Sequence, residues 1–100
     1  VFVPFFNVPE TASTTGTLIF ARQKNVETMM IVPIRNDDGS GYTLEILPPF
    51  ENFPTNDDIA DVTRVNQELE KAISVKPEQY MWLHRRFKTR PNPEDPSLYK

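Results

Sequence analysis

The sequence predicts a mixed α/β fold made of a partial βαβ unit, a β-hairpin, a long amphipathic helix and a short basic helix near the C-terminus. Three observations favour this class. Two apolar runs lie on either side of a helix-forming stretch, a turn signal joins two strand-like segments, and apolar residues recur every three or four positions between residues 59 and 73. A chain of 100 residues forms one domain at most.

The first strand and the first helix are predicted in the first quarter of the chain. Residues 1–6 form a continuous apolar run of β-forming residues, and Pro4 restricts a strand there to an edge or a bulge. Residues 7–9 then predict a turn. The hydroxyls of residues 13–15 are suited to cap a helix that runs from about residue 15 to residue 24.

Thr14 and Thr15 have a second candidate role at the start of this helix. The first N–H groups of a helix lack intrahelical partners, and the helix dipole favours an anion there. We therefore consider both threonines as candidate substrate-binding residues, with ordinary helix capping as the competing interpretation.

The second strand and a hairpin turn follow. Residues 28–35 are almost continuously apolar, as in a strand that is covered on both faces. If this strand pairs in parallel with the first one, the crossover between them should be right-handed. Residues 36–41 are rich in Asn, Asp and Gly, which tolerate the backbone conformations of tight turns.

The returning strand of the hairpin is predicted at residues 42–47. Its side chains alternate, so Leu44 and Ile46 should be buried on one face while Thr43 and Glu45 are exposed on the other. The acidic turn before it also resembles part of a calcium loop, but no Glu follows at the spacing that such a loop requires. The sequence therefore predicts no metal site, and it indicates no cofactor.

The long helix is the clearest element of the pattern. Pro48-Pro49 ends the hairpin, and a helix is predicted to begin near residue 56 or 57. Carboxylates at positions 57, 58 and 61 lie in its first turns, where the helix dipole favours them. We interpret the acidic side of this helix as a solvated surface rather than as a pair of catalytic carboxylates. Its apolar stripe consists of Ile59, Val62, Val65, Leu69, Ala72 and Ile73.

Residues 77–91, called the basic segment below, contain the sole Trp, the sole His and most of the positive charge of the C-terminal part. Pro77 suits the first position of a helix, and a short helix is predicted from about residue 78 to residue 87. One side of this helix would pack while the other carries charge. Residues 92–100 are polar and rich in Pro, which predicts an irregular tail.

Charge is unevenly distributed along the chain. Residues 1–80 contain 6 Lys or Arg and 12 Asp or Glu, a balance of −6, whereas residues 81–100 contain 5 and 2, a balance of +3. A basic patch on an acidic body attracts phosphates, anionic lipid headgroups or an acidic protein, while the acidic remainder argues against a general nucleic-acid binder. The chain has no Cys, which excludes disulfides and thiolate metal ligands.

The basic segment, PEQYMWLHRRFKTRP, closely resembles the C-terminal signature of the lipid A biosynthesis acyltransferases. These are the late lauroyl and myristoyl transferases of Gram-negative bacteria, within the glycerolipid-acyltransferase-like superfamily. VFVPFF at residues 1–6, TTG at 14–16 and ILPP at 46–49 resemble the same family in the same order. The resemblance implies that residues 1–91 are the C-terminal portion of a larger acyltransferase domain and that residues 92–100 are a tail.

The resemblance implies a transferase that moves a fatty acyl chain from acyl carrier protein to a phosphorylated lipid A precursor at the cytoplasmic face of the inner membrane. It also implies a membrane anchor and a catalytic His-x4-Glu or His-x4-Asp motif upstream of these residues. His84 is the sole histidine, and Thr89 lies where the acid of such a motif would be needed. We therefore expect no catalytic residue in this chain and no acyl transfer by the chain alone.

Basic side chains are the main binding candidates. Arg stays protonated and can hold a phosphate or a carboxylate at two points, which suits binding better than proton transfer. The resemblance implies two targets, namely the phosphorylated acceptor and the acidic carrier protein, and anionic lipid at the membrane surface is a third possibility. Structural ion pairs with the acidic helix are the competing interpretation. The candidate substrate-binding residues are Arg85, Arg86, Lys88, Arg90, Thr14 and Thr15.

Two classes of function stay open at this point. The first is the C-terminal region of the acyltransferase just described. The second is a non-catalytic α/β binding module that recognises a phosphorylated or acidic partner through its basic helix. In either case an unpaired sheet edge at residues 1–6 or 29–34 would favour self-association of the isolated chain.

Overall fold

The computed structural model describes residues 1–81 and 84–99, and it confirms the mixed α/β class. The described part consists of two antiparallel hairpins, a short helix, a long helix and a 3-10 turn. In chain order these are β1 (Phe2–Phe5), β2 (Val8–Ala12), α1 (Gly16–Ala21), β3 (Ile31–Arg35), β4 (Tyr42–Ile46), α2 (Asp58–Val75) and the 3-10 turn (Pro77–Gln79). Within this described part, no helix has the length and apolar character that crossing a membrane requires.

β1 pairs with β2 rather than with β3. The two strands run antiparallel, with Phe5 opposite Val8, and the register shifts at Pro4, where the sequence predicts an edge or a bulge. The parallel pairing considered for the βαβ unit is therefore wrong, because β1 and β3 belong to separate two-stranded sheets. A turn at residues 6–7 brings β1 and β2 together, and this costs much less loop-closure entropy than a crossover through α1 to β3.

α1 is shorter than the helix predicted at residues 15–24. It spans Gly16–Ala21, and Thr15 precedes it without a side-chain capping hydrogen bond, so the predicted hydroxyl cap is wrong. The Ser13 hydroxyl donates instead to the Thr11 carbonyl at 3.2 Å. The hydroxyl nearest the end of β2 is thus used by the hairpin rather than by the helix.

The hairpin of β3 and β4 is confirmed. Its strands pair in register from Ile31 opposite Ile46 to Arg35 opposite Tyr42. Gly39 in the connecting turn has a φ of +76°, a conformation that glycine adopts without the steric penalty of a side chain. The Asn, Asp and Gly signal therefore located this turn correctly.

The predicted burial of the returning strand is wrong. Leu44 and Ile46 are 63% and 65% exposed. The opposite face of the hairpin, which holds Val32 and Ile34, borders a cavity shared with Val75 of α2. Val32 and Ile34 are half-buried on that face, whereas every residue of β4 is exposed, so the more apolar face of β4 is left in solvent.

α2 confirms the predicted long helix. Asp57 caps it, since its carboxylate accepts a hydrogen bond from the Ala60 N–H at 3.1 Å. α2 packs against β1 and α1. The buried core joins Val62 of α2 to Val3 of β1 and Leu18 of α1, so it lies beside the first hairpin.

Asp61 departs from the prediction of a solvated acidic surface. It is only 2% exposed. Its carboxylate accepts hydrogen bonds from the N–H and the hydroxyl of Thr55, both at 2.8 Å, and from Nη2 of Arg22 at 3.3 Å. Arg22 also contacts Asp58 at 2.6 Å. A buried carboxylate with this set of donors is a structural tie between the end of α1 and the start of α2.

The basic segment does not form the predicted helix at 78–87 in its described residues. The 3-10 turn Pro77–Gln79 ends at Tyr80, which has extended dihedral angles. Residues 84–90 follow an irregular path with short turns. Residues 82–83, which the prediction also covers, lie outside the described part. The basic side chains therefore extend from an irregular backbone instead of from one face of a helix.

Tertiary hydrogen bonds hold the basic segment at Gln79 and at Phe87 and override its local helix propensity. The Gln79 side chain accepts from the Arg35 N–H at 2.8 Å and donates to the Arg35 carbonyl at 2.9 Å, which fixes the start of the segment to β3. The Phe87 N–H donates to the hydroxyl of Tyr99 at 2.9 Å. Residues 92–99 contain no helix or strand, yet they fold back onto the segment through this contact.

Candidate anion-binding cavity

A cavity of about 510 Å³, called the basic cavity below, opens between the basic segment, the end of β2, α1 and α2. Its floor is apolar and its rim is polar. None of the described residues that line it is Asp or Glu, so the charge around it favours an anionic ligand. The floor includes Leu18, Val62, Val65 and Leu69, and the rim includes Thr14, Thr17, His84, Arg85, Arg86 and Lys88.

The core residues of the floor are more buried than the cations of the rim, whereas Leu69 of the floor is 37% exposed. Leu18 and Val62 belong to the buried core. Arg85 and Lys88 are exposed. A pocket with apolar walls and a few convergent polar groups suits a ligand that carries an anionic group beside an apolar part.

The structure brings together four of the six predicted binding residues. The other two, Thr15 and Arg90, do not line the basic cavity. Nε of Arg90 is buried and has no hydrogen-bond partner within the described part of the chain. Ligand binding by any of the six stays a prediction. The four that line the cavity are Thr14, Arg85, Arg86 and Lys88.

Arg86 is held by the protein itself. Its Nη1 donates to the Ala12 carbonyl, and its Nη2 donates to the Ser13 hydroxyl at 2.9 Å. Its guanidinium carbon lies 5.0 Å from the centre of the buried Phe5 ring. These contacts distinguish Arg86 from the other cations of the rim.

Arg85 and Lys88 are held less firmly. The guanidinium carbon of Arg85 lies 4.7 Å from the centre of the Tyr99 ring, a contact that orients the side chain. Lys88 is exposed at the rim. The described salt bridges do not include any between the basic segment and a carboxylate of α2, so the structure does not support the competing interpretation of structural ion pairs.

Sequence reasoning missed Asn66 and considered Ser13 only as a helix cap. Asn66 is 3% exposed and donates from Nδ2 to the Ser13 hydroxyl at 3.1 Å and to the Pro4 carbonyl at 3.3 Å. A signal was present, because Asn66 lies four residues after Val62 and three before Leu69, on the apolar stripe of the helix. A polar residue in that position needs a buried partner.

His84 lies exposed at the rim of the basic cavity and outside any helix. The helix predicted from about residue 78 to residue 87 would have included His84, and this part of the prediction is wrong. Thr89, five residues further on, also lines the cavity and supplies no carboxylate. In the part of the chain that the structure describes, no cluster of His, Cys, Asp or Glu is arranged to hold a metal ion.

Residues 1–89 match the sequence profile of the family described as bacterial lipid A biosynthesis acyltransferase. The chain belongs to this family. It is 48% identical over 100 residues to a lipid A biosynthesis acyltransferase of Haemophilus influenzae and 50% identical over 91 residues to the lipid A biosynthesis lauroyltransferase of Escherichia coli. It is 44% identical over 98 residues to the lipid A biosynthesis palmitoleoyltransferase of Escherichia coli. No solved structure matches the chain.

The chain spans about a third of the length of these relatives. The three alignments cover 99%, 91% and 98% of this chain but 32%, 30% and 31% of the Haemophilus influenzae, lauroyltransferase and palmitoleoyltransferase sequences. The basic cavity, whose lining runs from Ala12 to Thr89, lies entirely inside the region that matches the lipid A acyltransferase family. Arg90 and the tail lie beyond that region.

Proposed function

We propose that this chain is the C-terminal region of an enzyme that transfers a fatty acyl chain from acyl carrier protein to a phosphorylated lipid A precursor. The observation that carries the proposal is the basic cavity, in which a cationic rim adjoins an apolar floor inside the region that matches the family. An acceptor of this class carries phosphate beside acyl chains, so its two parts fit the rim and the floor. Two relatives are named as a lauroyltransferase and a palmitoleoyltransferase, which supports a fatty acyl chain as the group that is transferred.

The residues of this chain would bind and orient the acceptor rather than carry out the chemical step. In the proposed reaction the acceptor hydroxyl attacks the thioester carbonyl of the donor, a base takes the hydroxyl proton, and the carrier thiol leaves. Arg85 and Lys88 are cationic donors suited to the acceptor phosphate. Holding the phosphate would place the hydroxyl for attack and lower the entropic part of the barrier. The proposed base belongs to a His-x4-Glu or His-x4-Asp motif outside these residues.

The donor and the location belong to the same proposal. Acyl carrier protein is strongly acidic, and the exposed cations of the rim offer it complementary charge, which raises the rate of encounter. We place the enzyme on the cytoplasmic face of the inner membrane, where it would be held by a segment outside the 100 residues of this chain. The rim would there also face anionic lipid.

A non-catalytic binding module is the second candidate. One observation favours it: the cavity offers cations and hydroxyls, while His84 has Thr89 where a catalytic motif would have a carboxylate. The same cavity would then bind a phosphorylated or acidic partner without any transfer step.

The test compares the isolated chain with the longest natural protein that contains it. Each is given acyl carrier protein that carries a radiolabelled acyl group, together with the phosphorylated acceptor. Both acyl transfer and acceptor binding are measured. We expect transfer by the longer protein and none by the isolated chain, because the chain lacks a base oriented by an acid. Transfer by the isolated chain that His84→Ala abolishes would make His84 catalytic. A longer protein that binds the acceptor and transfers nothing would favour the binding module.

A further inference from the structure

We infer that Arg86 is a positioning residue, which fixes the cationic rim of the basic cavity and leaves contact with the ligand to its neighbours. The inference rests on the proposed function, since it concerns the rim that would hold the acceptor phosphate. Arg86 lines the cavity together with Arg85 and Lys88. Among the hydrogen bonds of the described residues, only Arg86 of these three donates its side chain inward, from Nη1 to the Ala12 carbonyl and from Nη2 to the Ser13 hydroxyl.

The Arg86 guanidinium also lies over an aromatic ring. Its carbon lies 5.0 Å from the centre of the Phe5 ring, and Phe5 is 1% exposed. Two acceptors and an aromatic ring together restrict the orientation of the planar guanidinium. A lysine ammonium has neither the planar face nor the fixed fork of donors, so it would not reproduce this contact.

The Ser13 hydroxyl connects Arg86 to the interior of the protein. It accepts from Arg86 Nη2 at 2.9 Å and from Asn66 Nδ2 at 3.1 Å, and it donates to the Thr11 carbonyl at 3.2 Å. A hydroxyl has one donor and two acceptor positions, so Ser13 is saturated. Asn66 and Thr11 are 3% and 1% exposed. One partly buried network therefore ties the basic segment to both β2 and α2.

Arg85 and Lys88 depend on this network because the backbone that carries them is irregular. Residues 84–90 lack the ladder of helical hydrogen bonds that would fix the direction of each side chain. Arg86 directly follows Arg85 and precedes Lys88 by two residues, so its anchoring sets where both cations stand above the apolar floor. Without the anchor, both ligand-contacting charges remain, but they are no longer held in place before the anion binds. Binding would then have to order them, so the anion should bind more weakly.

The test uses the longest natural protein that contains this chain. It compares Arg86→Ala, Arg86→Lys, Ser13→Ala and the double variant that combines Ser13→Ala with Arg86→Ala. Equilibrium binding of the phosphorylated acceptor, kcat and KM for that acceptor, and urea unfolding are measured for each. Arg86→Lys should raise Kd and KM roughly tenfold, as Arg86→Ala does, with kcat within about twofold, because geometry rather than charge is lost. The double variant should bind about as well as Arg86→Ala, because both changes break the same network.

Near-normal binding by Arg86→Lys together with a large loss in Arg86→Ala would overturn the inference, since charge alone would then suffice. Lower stability with unchanged Kd and KM for the folded protein would make Arg86 a purely structural residue and overturn it too. A wild-type protein that binds the acceptor but transfers no acyl group contradicts the proposed function, while the binding data still decide the role of Arg86. A wild-type protein that binds no acceptor contradicts both.

Discussion

At the scale of single residues, Arg85, Arg86 and Lys88 share a cavity but not a role. Arg86 is held by the network at Ser13, and Arg85 lies against the Tyr99 ring. Lys88 is exposed and lines the rim. Removing an exposed charge usually changes folding stability little. Lys88 is therefore the residue whose loss reports on ligand binding with the least effect on folding.

Lys88→Ala in the complete enzyme should lower kcat/KM for the phosphorylated acceptor about ten- to a hundredfold, because a charge-assisted hydrogen bond contributes roughly 1.5 to 3 kcal/mol. The urea midpoint should not change. Lys24→Ala is the matched control, since Lys24 is also exposed but does not line the cavity. If Lys88→Ala and Lys24→Ala have the same kcat/KM, Lys88 does not bind the acceptor.

Leu18→Ala tests the core beneath the cavity. Leu18 is 1% exposed and packs with Val3 and Val62, so its truncation should lower the free energy of unfolding by about 2 to 5 kcal/mol. The adjacent Ile19 is 66% exposed, and Ile19→Ala should change that free energy by less than about 0.5 kcal/mol. Urea unfolding of the two variants measures the difference. Equal losses would contradict the assignment of the core to this face of α1.

Residue type predicted only part of the candidate site. Arg85, Lys88 and Thr14 could be selected from the sequence, because cations and hydroxyls are recognisable anion ligands wherever they lie. The network at Ser13 could not, since Asn66 is 53 residues away from it and Arg86 is 73 residues away. The place of Asn66 on the apolar stripe indicates a buried partner, but hydrogen bonds over such separations leave no local pattern that identifies the partner.

At the scale of elements, α2 was predictable and β2 was not. α2 has local signals of its own, namely the Asp57 cap and an apolar stripe with helical period. β2 has the sequence VPETA, in which Pro9 and two polar residues favour a turn over a strand. Its strand conformation comes from pairing with β1. The helix predicted in the basic segment does not form, because the hydrogen bonds of Gln79 with Arg35 outweigh the local preference of the segment for a helix.

An ion pair joins the β3–β4 hairpin to the end of α2. Lys76 Nζ donates to Asp37 at 2.7 Å. This hydrogen bond lowers the pKa of Asp37 below its ordinary 3.8 and raises the pKa of Lys76 above its ordinary 10.5. The stabilisation is thus complete between these two ordinary values. It is lost as the pH falls through the lowered pKa of Asp37 or rises through the raised pKa of Lys76.

Lys76→Gln should therefore lower the urea midpoint at neutral pH and leave it unchanged at a pH below the lowered pKa of Asp37. The effect should be small and should shrink in high salt, since the Asp37 side chain is 80% exposed. Asp37→Asn should give the same pattern. Lys24→Gln, an exposed lysine outside the described salt bridges, is the control. A loss in Lys76→Gln that persists in acid would show that Asp37 is not the relevant partner.

At the scale of the whole molecule, the chain is flat. It measures 46 × 40 × 17 Å with a radius of gyration of 15.5 Å, against roughly 13 Å for a compact domain of this length. The core lies between β1, α1 and α2, while the β3–β4 hairpin leaves an apolar face exposed. The mixed class was predictable from the order of elements. The exposure of this face was not, because alternation shows which residues share a face and not which face meets a partner.

The isolated chain should self-associate through this face as its concentration rises. Ile31, Leu44 and Ile46 are 54%, 63% and 65% exposed, and a two-stranded sheet has two unpaired edges, which together favour contact between copies. Ile46→Glu should shift the chain to the monomer, because association would have to desolvate the new carboxylate. Ile19→Glu is the matched control, since Ile19 is 66% exposed but lies on α1. Sedimentation velocity over a range of concentrations measures the size of each variant. An equal shift in both variants would mean that the association is not specific to the hairpin, and a wild-type chain that stays monomeric at high concentration would contradict the prediction.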